Sequence, residues 1–128
     1  MTNPTIFVTD SNLLFIDLIR DVLLDAGYRN AISYAGDNAF QRICEEQPQL
    51  VLLDVTVMNP GLAWSMLDVL RLHPRTRAIP IILCSTDMRL FKEKAALLRE
   101  LHCQTLEKPF YIEALLDKVA TAIGPPPR

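Results

Sequence analysis

The sequence has few glycines and few cysteines, and each scarcity excludes a class of protein. Only four of its 128 residues are glycine, and none forms a phosphate-cradling loop after the first predicted strand, so a flavin- or nucleotide-dependent enzyme is disfavoured. The cysteines, Cys44, Cys84 and Cys103, lack the short spacings of zinc sites and disulfide frameworks. We therefore interpret them as reduced thiols of a cytoplasmic protein.

A strong charge imbalance and long apolar segments are also absent. The formal net charge is −2, so direct binding to nucleic acid through charge alone is not expected. No apolar run approaches the roughly 20 residues that span a bilayer, and the first residues do not have the basic start and apolar stretch of a signal peptide. We expect a soluble, cytoplasmic protein without membrane insertion.

The length is that of one domain, for which we predict residues 1–123. Half of the residues are apolar, and a chain of this size buries roughly two thirds of the surface that it exposes when unfolded. Residues 124–128, with the sequence Gly-Pro-Pro-Pro-Arg, form a proline-rich tail or the stub of a stiff linker to an output domain.

Short apolar runs alternate with segments of helical periodicity along the chain. Such strict alternation predicts an α/β fold with a doubly wound parallel sheet of five strands and helices on both faces. The predicted strands are residues 6–9, 31–34, 50–53, 79–84 and 103–106. The predicted helices are residues 12–26, 37–46 closed by Gln47-Pro48, 62–72, and a fourth from a cap at Thr86 or Asp87 to about Leu101. A fifth has an apolar stripe from Ile112 to Ile123 and is opened by Pro109 and stopped by Gly124.

Polar residues follow four of the predicted strands. Asp10, Asp54, Ser85 and Lys108 each come directly after an apolar run. Because open α/β sheets bind ligands outside the carboxyl ends of their strands, we expect these side chains to converge. Two carboxylates suit Mg²⁺, a lysine and a hydroxyl suit phosphoryl oxygens, and a carboxylate can become an aspartyl phosphate.

At these residues the chain resembles the receiver domains of response regulators, the flavodoxin-like modules of two-component signalling. The resemblance rests on IFVTD, LVLLD, IPIILCS and EKPF in this order, and it runs from about Ile6 to Ile123. It implies the strand order 2-1-3-4-5. It also implies a signalling module that is not an enzyme, apart from self-phosphorylation with a phosphohistidine or small phosphodonor.

The resemblance implies a role for each residue of the site. Asp54 is the expected phosphoryl acceptor, and the expected Mg²⁺ ligands are Asp10, Asp54 and the backbone carbonyl of Thr56. Ser85 and Lys108 are the expected phosphoryl contacts, and the Lys108–Pro109 bond is expected to be cis. The implied partners are a histidine kinase or phosphotransfer protein upstream, and a downstream protein or tethered output domain.

The sequence departs from the family pattern at several positions. Ser11 stands where most receivers have a second acid, which should weaken Mg²⁺ binding. Thr105 stands where the family commonly has an aromatic residue. The proline that usually follows the acceptor aspartate comes two positions further along the chain, at Pro60. Leu101-His102 stands where the family often has a Gly-Ala pair. Ser11, Thr105 and the altered loop before Pro60 support a second hypothesis, a pseudo-receiver that acts as a phosphorylation-independent protein interaction module.

Structural roles compete with the functional ones. Asp10 precedes a predicted helix and could stabilise its dipole, and Ser85 could satisfy neighbouring backbone. Lys108 could be a charge partner for Asp54 or Glu107. Ser11 and Asn12 are better explained as N-caps than as metal ligands.

Overall fold

The computed structural model of the chain describes residues 5–9, 13–28, 30–34, 38–55, 60–108 and 110–126. Its elements are β1 (Thr5–Thr9), α1 (Leu13–Asp25), β2 (Asn30–Tyr34), α2 (Ala39–Glu46), β3 (Leu50–Asp54), α3 (Pro60–Leu72), β4 (Ile81–Ser85), α4 (Met88–Glu93), α5 (Ala95–Glu100), β5 (Cys103–Glu107) and α6 (Ile112–Ile123). None of the helices in these ranges combines the length and the apolar character that a membrane crossing requires.

The five strands form one parallel sheet in the order β2-β1-β3-β4-β5. The predicted α/β class with a parallel sheet is therefore confirmed, and the order is the one that the resemblance implied. β3 and β4 lie inside the sheet, and their apolar side chains are buried on both faces. Their continuous apolar sequences are typical of strands that helices cover on both sides.

Two apolar clusters separate the helices into two layers. On one face of the sheet, α1 and α6 pack through residues such as Ile19, Leu23 and Leu115. On the other face, α2, α3, α4 and α5 pack through residues such as Ile43, Leu67, Phe91 and Leu98. Successive residues of β1, β3 and β4 contribute to opposite clusters, because side chains alternate along a strand.

The predicted fourth helix is two short helices. α4 and α5 are separated at Lys94, whose backbone angles (φ −104°, ψ 12°) leave the helical range. Lys94 is bonded to both helices, because its amide donates to the Leu90 carbonyl at 3.1 Å and its carbonyl accepts from the Leu98 amide at 2.9 Å. The prediction of one continuous helix was wrong here because the local sequence, Glu-Lys-Ala-Ala, favours a helix throughout.

β4 begins at Ile81 rather than at residue 79. The Ile79 amide donates to the carbonyl of Thr76 at 3.0 Å, so it belongs to the preceding turn. Pro80 has no amide hydrogen to donate to a ladder, although its carbonyl accepts from the Val51 amide. Both effects place the start of the strand inside the apolar run that predicted it, at Ile81.

The predicted stops of α2 and α6 agree with the structure. Gln47 ends α2 in the left-handed conformation, and Gly124 ends α6 with φ +86°. The hydroxyl of the buried Tyr28 donates to the Gly124 carbonyl at 3.0 Å. Pro126 lies beside Gly27, so the residues after α6 pack against the turn that follows α1.

Candidate functional site

Three of the predicted site residues lie at one edge of the sheet. Asp54 is the last residue of β3, Ser85 is the last residue of β4, and Lys108 follows β5 directly. The pairing of these strands places Asp54 beside Cys84 and Ser85 beside Glu107. Because the strands are parallel, their carboxyl ends coincide, and all three residues lie at the edge where the sequence predicted them.

The carboxylate of Asp54 contacts the ammonium of Lys108. Lys108 Nζ donates to Asp54 Oδ1 at 2.5 Å. The side chains are 9% exposed for Asp54 and 16% for Lys108, so little water surrounds either charge. A short, shielded contact of this kind is a strong charge-assisted hydrogen bond, and it holds a cation at the predicted acceptor.

Backbone hydrogen bonds fix the positions of Asp54 and Lys108. The amide of Val55, the residue after Asp54, donates to the Cys84 carbonyl at 2.7 Å, and the amide of Lys108 donates to the Ser85 carbonyl at 2.8 Å. These bonds continue the ladders β3–β4 and β4–β5 one residue past the strands. The site is therefore built on the rigid sheet, and Lys108 cannot move away from β4 without breaking this bond.

Ser85 is fully buried, and its hydroxyl oxygen forms a hydrogen bond with a backbone amide. Ser85 Oγ accepts from the Asp87 amide at 3.0 Å, while the Asp87 carboxylate accepts from the Arg89 amide at 3.0 Å and caps α4. The competing structural role of Ser85 is thus present. It does not exclude a phosphoryl contact, because a hydroxyl that accepts one hydrogen bond can still donate its own proton.

The remaining predicted residues lie outside the described residues. These are Asp10, Ser11, Asn12, Thr56 and Pro109. The Mg²⁺ site, with Asp54 as one of its ligands, and the cis bond therefore stay predictions. Among the residues that the structure does describe, no group of three acidic, histidine or cysteine side chains could hold a metal ion. Of the predicted metal ligands, Asp54 lies among the described residues. Its carboxylate is a hard oxygen ligand, the type that Mg²⁺ prefers.

Thr105 lies beside a cavity rather than at the Asp54 contact. The cavity measures about 260 Å³ between β5 and the helices α4 and α5, and its walls are Phe91, Ala95, Leu98, Arg99, Cys103 and Thr105. Burial raises the pKa of the Cys103 thiol, and the charge and hydrogen bond of Arg71 partly oppose this effect. The sequence did not predict this cavity, although the small side chain of Thr105 at a position usually aromatic was its available signal.

No family model and no curated protein matches the chain. Solved structures do match over almost the whole length. The N-terminal domain of a response regulator receiver protein from Methanoculleus marisnigri JR1 is 25% identical with a TM-score of 0.73, covering 95% of this chain and 98% of that one. The chemotaxis protein CheY4 from Vibrio cholerae is 20% identical with a TM-score of 0.79, covering 95% and 100%.

A third match is the signal receiver domain of a two-component histidine kinase from Clostridium thermocellum. It is 17% identical with a TM-score of 0.79, covering 95% of this chain and 98% of that one. The sheet order and these similarities define an α/β module with a five-stranded parallel sheet. The chain has the fold of a response regulator receiver domain, as its sequence motifs predicted.

Proposed function

We propose that the chain is a two-component receiver that accepts a phosphoryl group on Asp54 and switches partner binding as a result. The observation that supports the proposal best is the contact of the Asp54 carboxylate with the Lys108 ammonium at the carboxyl edge of the sheet. The site places a nucleophile, a cation and the nearby hydroxyl of Ser85 on neighbouring strands. Phosphoryl transfer needs mainly such positioning and charge neutralisation.

The donor would be a phosphohistidine of a histidine kinase or phosphotransfer protein. A carboxylate oxygen of Asp54 attacks phosphorus, the P–N bond breaks, and its electron pair stays on the histidine nitrogen. Asp54 becomes an acyl phosphate. Lys108 neutralises charge on the phosphoryl oxygens, and Ser85 donates its hydroxyl proton to one of them.

Mg²⁺ would be held by Asp54 together with Asp10 and the carbonyl of Thr56. When bound, the ion would supply positive charge to the phosphoryl oxygens during transfer. Lys108 already contacts one oxygen of Asp54, so the lysine and the ion would share that carboxylate. With Ser11 in place of a second acid, the site carries less negative charge, and we expect weak Mg²⁺ binding.

The switch would pass through Ser85. Turning its hydroxyl toward the phosphoryl group weakens its bond to the amide of Asp87, the residue that caps the start of α4. A change at this position alters the surface presented by α4, which a downstream protein or tethered output domain would read. The two states need differ by only a few kcal/mol for phosphorylation to shift their populations.

The proposal is tested by incubating the protein with acetyl phosphate and Mg²⁺ and measuring intact mass. We expect the mass of one added phosphoryl group, lost in Asp54→Ala and retained in Asp68→Asn, which changes an exposed acid on α3. An unchanged mass, or an addition that persists in Asp54→Ala, would contradict phosphorylation at Asp54.

The second candidate is the pseudo-receiver, which Ser11, Thr105 and the altered position of Pro60 favour. Titration of Mg²⁺ against the fluorescence of Trp64, half-buried on α3, would separate the candidates. A response that Ser11→Asp strengthens by on the order of tenfold supports a working metal site. If neither the wild type nor Ser11→Asp binds Mg²⁺, the interaction module becomes the better proposal.

A further inference from the structure

The cavity between β5 and the helices α4 and α5 has a buried apolar wall. Phe91 and Leu98 form this wall, with exposures of 5% and 4%. The volume of about 260 Å³ is larger than that of an apolar cavity of about 150 Å³ that takes up benzene, and it is smaller than the sites of about 300–1,000 Å³ that hold drug-sized molecules. The cavity therefore suits a ligand with one aromatic ring and a short substituent.

The solvent side of the cavity has a positive charge. Ala95 and Arg99 line this side, and because they are four residues apart on α5, they share one face of the helix. Both are exposed, and the small side chain of Ala95 covers little of the opening. Arg99 forms no ion pair with another residue in the described part of the chain. Its guanidinium is therefore available to an anionic ligand.

The wall on β5 is polar and carries no negative charge. Cys103 and Thr105 line it, two residues apart and on the same face of the strand. Burial raises the pKa of the Cys103 thiol above its ordinary value of 9.0, so the thiol is neutral at pH 7. The Thr105 hydroxyl forms no hydrogen bond with a residue that the structure describes, and none of the described lining residues is acidic. An anion that enters the cavity thus meets no repulsion from its walls.

We propose that this cavity binds a small aromatic carboxylate, with its ring against Phe91 and Leu98 and its carboxylate beside Arg99. A guanidinium can donate two parallel hydrogen bonds to a carboxylate, and the Thr105 hydroxyl can donate one more to the ligand. The Asp54–Lys108 contact contributes no residue to the cavity, so binding does not depend on phosphorylation at Asp54.

Both parts of the ligand are needed for binding. A neutral ring leaves Arg99 without a counter-charge, and an anion without a ring leaves the wall of Phe91 and Leu98 uncovered. Because Arg99 is exposed, water and salt screen its attraction for the carboxylate. For a ligand of this small size, we expect a dissociation constant on the order of millimolar.

Titration of phenylacetate into isotope-labelled protein, followed by amide NMR shifts, tests the site. The amides of Phe91, Ala95, Cys103 and Thr105 should shift along one saturable curve. Phenylacetamide, which has the ring without the charge, and acetate, which has the charge without the ring, should each bind at least about fivefold more weakly. Unchanged shifts at these amides in tens of millimolar phenylacetate, or equal affinities for phenylacetate and phenylacetamide, would overturn the proposal.

Replacing the cation at the opening tests the role of the charge. Arg99→Gln should weaken phenylacetate binding by about fivefold and leave phenylacetamide binding unchanged. Arg99→Lys should recover part of the loss, because it keeps the charge without the paired hydrogen bonds. Equal losses for the two ligands in Arg99→Gln would mean that Arg99 does not contact the carboxylate, which contradicts the proposal.

Closing the opening tests the location of the ligand. Ala95→Leu places a larger side chain with a high helix preference at the opening and should abolish phenylacetate binding. Ala96→Leu is the matched control, because Ala96 is exposed on the same helix and does not line the cavity; it should bind phenylacetate like the wild type. If Ala95→Leu binds phenylacetate as tightly as this control, the ligand lies outside the cavity and the proposal is wrong.

Discussion

Lys108 Nζ and Asp54 Oδ1 are 2.5 Å apart, although 54 residues separate the two in the sequence. Each side chain has lost most of its water, with 9% exposure for the acid and 16% for the amine. Removing one partner of a shielded ion pair leaves the other charge without compensation, which costs more than the pair itself contributes. The two residues should therefore be coupled in stability as well as in the proposed chemistry.

Replacing Lys108 by Met should reduce the free energy of unfolding by about 1–3 kcal/mol at neutral pH, because the Asp54 carboxylate stays shielded without its cation. Asp54→Asn in the same background should recover part of this loss. A double-mutant cycle from urea denaturation measures the coupling. Strictly additive effects of the two substitutions would show that the contact does not contribute to stability.

Arg71, at the end of α3, binds three backbone carbonyls and connects the turns before β4 and β5. Its Nε donates to Leu101 at 2.7 Å, and its Nη1 donates to Arg77 at 3.0 Å and Ile79 at 2.7 Å. Arg71→Met should cost about 2–3 kcal/mol of unfolding free energy because these acceptors lose a charged donor.

Urea denaturation of Arg71→Met is compared with that of Arg75→Met, which removes an exposed arginine from the turn after α3. The control should stay within about 0.5 kcal/mol of the wild type. Equal effects of the two substitutions would mean that loss of positive charge, rather than of the three hydrogen bonds, determines the result.

His102 occupies a backbone conformation that favours glycine. Its φ is +56° and its side chain is exposed, so the imidazole gains little that would offset the steric cost of the left-handed region. His102→Gly should raise the free energy of unfolding by about 1 kcal/mol. Thermal and urea denaturation measure the gain, and His102→Ala, which keeps a Cβ atom, should show none. An equal gain in both variants would attribute the effect to loss of the imidazole.

The fold could be predicted from the sequence because local pattern and global topology agree. The apolar runs of β3 and β4, the stop at Gly124 and the cap at Asp87 each depend on neighbouring residues alone. The break at Lys94 was missed because the intrinsic preferences around it are uniformly helical. The start of β4 was missed because the Ile79 amide is taken by a turn, which hydrophobicity does not report.

The part of the site that could be predicted is the set of residues at the carboxyl ends of the strands. Asp54, Ser85 and Lys108 follow apolar runs, and parallel pairing brings strand ends together whatever the side chains are. The bond from the Asp87 amide to Ser85 Oγ and the cavity beside Thr105 depend on the path of the chain after β4 and on helix packing. Neither has a signal in residue spacing, and the small side chain of Thr105 was the one available sign of the cavity.

Tyr28 should give the stability a dependence on alkaline pH. Its buried hydroxyl donates to the Gly124 carbonyl at 3.0 Å, and burial raises its pKa above the ordinary value of 10.0. Because the pKa is raised in the folded protein, the contribution of the protonated Tyr28 to the free energy of unfolding is fully present below pH 10. As the pH rises from 10 through the folded pKa, this contribution is lost, because the unfolded chain releases its proton first.

Tyr28→Phe should therefore be about 1 kcal/mol less stable than the wild type at pH 8, owing to the lost hydrogen bond. The difference should shrink as the pH is raised from 10 to 11. Urea denaturation at each pH measures it, with Tyr111→Phe as the control because Tyr111 is 82% exposed and its substitution should leave stability unchanged throughout. A constant difference between Tyr28→Phe and the wild type up to pH 11 would show that Tyr28 ionises equally in the folded and unfolded chains.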